Sequence, residues 1–145
     1  MILLRSVFAI LVLLLLGTSV RAQQQETDSA SVPRNLGEAI NGQFDDILPV
    51  IAPDGRTLYF CRSQSPENIG GGRQDIWFSE LQADGTWGVA KNIGIPLNNR
   101  DNNYLCSITP DGNTILVGDG YSSATNRQRS IAISHRTLDG WSVPK

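Results

Sequence analysis

The sequence predicts an all-β fold made of β-propeller-type, four-stranded antiparallel blades, with about two blades present, an incomplete propeller. Three observations predict it: a repeat of about 55 residues, a Pro-Asp-Gly turn in each copy, and consecutive apolar residues on both sides of each turn. Repeats of this length are typical of propellers and arrays. Sheets packed face to face bury both faces of their strands, whereas a sheet with one wet face alternates apolar and polar residues.

The repeat emerges when residues 35–60 are laid over residues 92–117 without a gap. Identical residues recur in the connector, at the turn and along the strands. These pairs are Asn35/Asn92, Gly37/Gly94, Asn41/Asn98, Leu48/Leu105, Ile51/Ile108, Pro53/Pro110, Asp54/Asp111, Gly55/Gly112 and Thr57/Thr114. At a slightly different offset, residues 75–79 (DIWFS) lie over residues 130–134 (SIAIS), so the similarity runs through both units.

Each unit predicts four strands, because its apolar runs are separated by turn residues. The predicted strands are, in order, Ile47–Ala52, Thr57–Arg62, Asp75–Glu80 and a short strand at Trp87, then Tyr104–Thr109, Thr114–Gly118, Ser130–His135 and a short strand at Trp141. No segment after the N-terminal region shows the apolar period of a helix.

A tight turn joins the first two strands of each unit. Proline presets φ at an early turn position, aspartate tolerates the bridge region, and glycine supplies the positive φ. We therefore assign a structural turn role to Pro53, Asp54, Gly55, Pro110, Asp111 and Gly112.

The first 22 residues are expected to be a cleaved signal peptide. Arg5 precedes an apolar run at Val7–Leu16, and small residues stand before a cut after Ala22, as signal peptidase requires. The alternative is a membrane anchor, but the run is shorter than the ~20 residues that span a bilayer. Residues 23–31 are polar and predict a disordered linker. The partial propeller is then assigned to residues 32–145, with blade one at about 44–91 and blade two at about 101–145.

The charge balance excludes some partners. The formal net charge is −2, and signal cleavage would also remove Arg5 and Arg21. Nucleic-acid-binding domains carry clustered Lys and Arg, and anionic membrane surfaces attract basic segments. The sequence therefore predicts no nucleic-acid partner, no binding to an anionic membrane surface, and no transmembrane span after signal cleavage.

The two cysteines, Cys61 and Cys106, leave two alternatives open. An exported chain meets an oxidising compartment, in which they would pair as a disulfide. Alternatively, both are small buried thiols on strands. Together with His135, the single histidine, they are too few for a structural zinc site.

No set of residues predicts catalysis, a metal site or a cofactor site. Asp45 and Asp46 look like a carboxylate pair, but Asn102 and Asn103 take their places in the second unit and cannot transfer protons. The run Gly70-Gly71-Gly72 lacks the lysine and the following helix of a phosphate-binding loop.

Two aromatic residues and one arginine are the candidate ligand contacts. Flat aromatic rings stack on sugars and pack against peptides. Tyr121 stands in a polar loop, and Arg73 and Trp77 follow the glycine run. We name these three residues as candidates. The alternative for any Trp or Tyr of a propeller, Trp87 and Trp141 included, is a place in the core.

A series of motifs in the first unit carries a family resemblance. It comprises Pro49, Pro53-Asp54-Gly55, Thr57-Leu58-Tyr59-Phe60, Gly70-Gly71-Gly72, Asp75-Ile76-Trp77, Gly85-Thr86-Trp87 and Asn92-Ile93-Gly94-Ile95-Pro96-Leu97-Asn98. This series resembles the WD-repeat-like β-propeller repeat of TolB-like and OmpA-associated bacterial envelope proteins, over roughly residues 32–145. The second unit departs from it at Cys106, Ser130 and Ala132. The resemblance implies secretion across the inner membrane and a periplasmic or outer-membrane-associated location.

Three functions agree with these observations. The first is a non-catalytic exported propeller segment, part of a longer protein, whose loops bind an envelope protein or a cell-wall glycan. The second is the N-terminal propeller part of a peptidase or glycan hydrolase whose catalytic domain lies beyond Lys145. The third is a small self-associating two-blade protein, since a closed propeller takes about four to eight blades.

Overall fold

The computed structural model describes residues 33–118, 121 and 130–145. These residues are all-β and form two four-stranded antiparallel sheets, each in sequence order. Blade one contains β1 (Asp45–Ile51), β2 (Thr57–Ser63), β3 (Asp75–Glu80) and β4 (Lys91–Asn92), and blade two contains β5 (Tyr104–Ile108), β6 (Thr114–Gly118), β7 (Ile131–Thr137) and β8 (Gly140–Trp141). The predicted fold class, two blades of the propeller type, is confirmed. The predicted signal peptide and linker lie outside the described residues.

The fourth strand of blade one differs from the prediction. Trp87 forms only an isolated bridge with Leu81, and β4 begins at Lys91. The reason is local: the amide of Gly88 donates to the carbonyl of Glu80 at 2.9 Å, and the Ser79 hydroxyl donates to the carbonyl of Gly88 at 2.5 Å. These bonds hold the chain in an irregular path before pairing resumes. The prediction at Trp141 agrees with β8.

The hairpin turns are held by the aspartate side chain. Asp54 Oδ1 accepts hydrogen bonds from the amides of Arg56 and Thr57 at 2.7 and 2.9 Å. Gly55 has a φ of 66°, and Gly112 has a φ of 70° in the equivalent turn. The hydrogen bond from the Arg56 amide lowers the pKa of the Asp54 carboxyl, with smaller help from Thr57. Sequence chemistry and backbone geometry therefore agree at both turns.

Substituting Gly55 tests this turn. Gly55→Val is expected to reduce the free energy of unfolding by about 1–3 kcal/mol, because a β-branched residue resists positive φ. No neighbouring atom would clash with the added Cβ, so backbone strain is the expected cause of the loss. Gly72→Val is the matched control, since Gly72 also has open space and its φ is not positive. Equal urea midpoints for the two variants would contradict the assignment.

Blade two packs one face against blade one, within the unit formed by Asn35–Lys145. β5 contacts β1, β2 and β3. The buried residues of this interblade core come from both sheets and from the connector between them, and they are Ala52, Tyr59, Ile76, Leu97, Leu105, Ile115, Val117 and Ala132. Face-to-face packing of sheets buries alternate side chains from both partners. The blades therefore share one core.

The opposite face of blade one carries a second apolar cluster, which includes Leu58, Phe60 and Trp77. A buried arginine covers it: the Arg62 guanidinium carbon lies 4.6 Å from the Trp77 ring centroid. The same guanidinium donates to both carboxylate oxygens of Asp46, at 2.7 and 2.9 Å. Bidentate pairing and stacking on aromatic rings are contacts for which arginine is well suited.

Burial on both faces, which the apolar runs predict, holds for some strands and not for others. Five consecutive residues of β2 are buried. Along β7, by contrast, Ile131 and Ile133 are exposed. None of the described residues forms a helix with the length and hydrophobicity that a membrane crossing requires.

Candidate functional site

A cleft of about 550 Å³ lies between the two blades, beside their hairpin turns. Its walls come from strand ends of both sheets and from the connector. The aromatic residues of the lining are Tyr59, Phe78 and Trp141, and its charged residues are Asp54, Glu80, Arg136 and Asp139. A concave surface that combines aromatic rings with a few convergent polar groups is typical of a binding site.

The wall from blade two is built by a cross-strand pair. Arg136 on β7 pairs with Trp141 on β8, and its guanidinium carbon lies 4.3 Å from the Trp141 ring centroid. The blade-two turn positions this arginine, because the Arg136 amide donates to the carbonyl of Asn113 at 2.8 Å and its Nε donates to the carbonyl of Gly112 at 3.3 Å. One face of the indole is therefore covered by a cation.

The wall from blade one carries a tilted aromatic pair. The ring centroids of Tyr59 and Phe78 lie 6.4 Å apart at an interplanar angle of 41°, within the range of attractive aromatic pairs. Burial raises the pKa of the Tyr59 hydroxyl, partly offset by Arg136. This hydroxyl is therefore neutral at physiological pH.

The lining is acidic. Three carboxylates, those of Asp54, Glu80 and Asp139, share the cleft with the single guanidinium of Arg136. Asp54 is already engaged with its own turn, which leaves Glu80 and Asp139 to face a ligand. Such a surface favours a ligand that presents hydroxyl or ammonium donors.

The sequence-predicted ligand contacts do not lie together in this cleft. Trp77 is buried and its indole nitrogen donates to Asn68 Oδ1 at 2.9 Å, so the structure places its ring in the core. Tyr121 packs against the interblade core and its hydroxyl donates to the carbonyl of Leu97. Burial raises the pKa of that hydroxyl. Arg73 is exposed in the loop before β3.

The structure differs from both alternatives that the sequence left open for the two cysteines. Cys61 and Cys106 are free thiols, so the structure contains no disulfide between them, and only Cys61 is buried. The Cys61 thiol points to the interface and donates to the carbonyl of Asn103 at 3.7 Å. Cys106 lies at the irregularity in the β5–β6 pairing, between Leu105 and Ser107, which turns its side chain outward.

Thiol labelling checks this arrangement. Burial raises the pKa of Cys61 to about 12, so this side chain stays a thiol at neutral pH, and the thiolate is the reactive form. Iodoacetamide is expected to modify Cys106 in the folded protein and Cys61 only after denaturation, as read by peptide mass spectrometry. Equal labelling of both, or an untouched pair with the mass of a disulfide, would contradict the structure.

A buried polar network joins the connector to blade one. Asn98 Oδ1 accepts from the Ile76 amide at 2.8 Å, and Asn98 Nδ2 donates to the Ile76 carbonyl at 2.9 Å and to Asn92 Oδ1 at 2.7 Å. The buried Asp75 carboxylate accepts from the Ile69 amide and from Asn92 Nδ2 at 2.8 and 2.7 Å. These polar groups hold backbone in place, and within the described ranges no cluster of His, Cys, Asp and Glu could hold a metal ion.

The places of two residues in the cleft could not be predicted from the sequence. Arg136 has no distinguishing sequence signal, because a lone arginine after a histidine resembles any exposed strand residue, and only its pairing with Trp141 gives it a role. The contribution of Trp141 depends on two blades meeting, which no local pattern encodes.

In comparisons with known proteins, no family model, no curated protein and no solved structure matches this chain.

Proposed function

We propose that this chain is a non-catalytic, exported β-propeller segment of a longer protein, and that it serves as a binding scaffold in the bacterial envelope. The observation that carries the proposal is the interblade cleft, in which Trp141, Arg136 and two available carboxylates converge. Rigid sheets that present a site at their loops are a common arrangement for recognition. The predicted signal peptide and the resemblance to envelope propeller repeats support the compartment.

The cleft favours a glycan over a peptide as the ligand. Aromatic carbons from Phe78 and Trp141 offer a surface for the C–H faces of a sugar. Glu80 and Asp139 offer acceptors for sugar hydroxyls. A peptide with basic side chains would use the same carboxylates, so the binding experiment has to separate the two.

Tryptophan fluorescence provides the test. Titration with soluble peptidoglycan fragments is expected to give a saturable change, because the indole of Trp141 lines the cleft. Trp141→Phe should abolish the change. Trp87→Phe is the matched control and should keep it, since Trp87 packs on the other apolar cluster of blade one.

Three results would count against the proposal in different ways. Saturation by a basic peptide and none by glycan would assign the cleft to a protein partner. A signal that survives in Trp141→Phe would place binding elsewhere. Absence of saturation with either ligand would remove the support that the cleft gives.

A further inference from the structure

A second concavity, of about 340 Å³, is lined by the hairpin turns of both blades and adjoins the interblade cleft. We call it the turn groove. The residues that it does not share with the cleft come mainly from the two equivalent turns, and they include Pro53, Pro110, Gly112 and Asn113. The residues that line both the groove and the cleft are Asp54, Tyr59 and Arg136. The two concavities therefore meet along a common wall.

Arg136 connects the two concavities at this wall. Its Nε donates to the carbonyl of Gly112 in the groove at 3.3 Å, and its guanidinium carbon lies 4.3 Å from the ring centroid of Trp141 in the cleft. It also interacts with the Tyr59 hydroxyl. A guanidinium carries five N–H donors, more than these contacts use, and no carboxylate of the described residues lies within ion-pair distance of Arg136. Donors therefore remain for a ligand that lies across the junction.

The turn groove offers apolar rings beside a neutral polar group. Pro53 and Pro110 occupy equivalent positions of the repeat and are both exposed, so each blade presents a proline ring. Asn113 is also exposed, and its side-chain amide both donates and accepts hydrogen bonds. Apolar surface with a few polar groups is typical of a ligand site. The groove therefore provides a second surface for a sugar ring.

We propose that the cleft and the turn groove form one continuous site, and that its ligand is an oligosaccharide chain longer than a disaccharide. The inference rests on the glycan-binding function proposed above and adds the length and the path of the chain. Rings at one end of the bound segment pack on Phe78 and Trp141, the chain crosses Arg136, and further rings lie on the two prolines. Each concavity falls within the about 300–1,000 Å³ of a small-molecule site, so each holds its own part of the chain.

The length of the saccharide is the first variable to test. The protein is titrated with a disaccharide and with a hexasaccharide from the same peptidoglycan glycan strand, and the fluorescence of Trp141 is followed. The hexasaccharide is expected to bind with a Kd about tenfold lower, because its additional rings form hydrogen bonds in the groove. Saturable binding with equal Kd would overturn this inference and leave the proposed function intact. Absence of saturation with either saccharide would overturn both.

Amide NMR spectra of isotope-labelled protein show where each saccharide lies. The disaccharide is expected to shift the amide signals of the cleft residues Phe78, Glu80 and Trp141. The hexasaccharide should shift these signals and also those of Asp111 and Asn113 in the turn groove. A bound hexasaccharide that leaves the signals of Asp111 and Asn113 unchanged would confine the ligand to the cleft and overturn the inference.

Asn113→Ala separates contact with the groove from the greater number of ways in which a long chain can enter the cleft. The backbone of Asn113 makes the turn contacts, since its amide donates to Asp111 Oδ1 at 3.0 Å and its carbonyl accepts from the Arg136 amide at 2.8 Å. The variant should therefore fold normally. Its Kd for the hexasaccharide is expected to rise about three- to tenfold, and its Kd for the disaccharide should not change.

Asn41→Ala is the matched control, because Asn41 is exposed and lines neither concavity. It should keep the wild-type Kd for both saccharides. A wild-type affinity of Asn113→Ala for the hexasaccharide, or an equal loss for both saccharides, would contradict contact between the chain and the turn groove.

Discussion

Leu105→Ala is expected to reduce the free energy of unfolding by about 2–5 kcal/mol, the usual cost of removing a buried leucine side chain. Leu105 is almost completely buried in the core that joins the two blades. Its neighbours there, such as Ile76 and Val117, come from different sheets, so neither sheet alone can move to fill the space. Urea denaturation followed by circular dichroism measures the change.

Leu138→Ala is the control for this prediction, because Leu138 is fully exposed in the turn between β7 and β8. It should change the free energy of unfolding by less than about 0.5 kcal/mol. If Leu105→Ala changed the free energy of unfolding as little as its control, the two blades would not share a core.

Asn98→Ala is expected to cost about 2–4 kcal/mol, because it leaves buried backbone without a partner. The Ile76 carbonyl would still accept from the Ile93 amide at 3.1 Å, whereas the Ile76 amide would lose its acceptor. Asn113→Ala is the matched control, since Asn113 is exposed at a turn. Thermal unfolding that is equally shifted in both variants would contradict the role assigned to Asn98.

The fold was predictable because the repeat fixes the pairing of the strands. Local chemistry marks each hairpin. Asp54 and Gly55 specify a turn, and the apolar runs beside them specify strands whose faces must be buried against another part of the protein. The β3 strand, Asp75–Glu80, agrees with the prediction at both ends. The fourth strand at Trp87 was wrong because hydrogen bonds of Gly88 and Ser79 determine the path there, and such bonds leave no periodic signal.

The candidate site was less predictable, because its residues meet only when the blades pack. Trp77 and Trp141 are both tryptophans near a strand, yet one is buried under Arg62 and the other lines the cleft. The difference depends on which face of each sheet is covered. The sequence also gave no reason to separate Asn98 from Asn41, although one is buried and the other exposed.

The central claim is that the two repeat units pack face to face as adjacent blades. A nuclear Overhauser spectrum of methyl-labelled protein tests it most directly. The structure predicts cross-peaks that join Tyr59 and Ile76 of blade one to the methyl groups of Leu105 and Val117 of blade two. Cross-peaks that connect these methyl groups only to residues of their own sheet would contradict the claim.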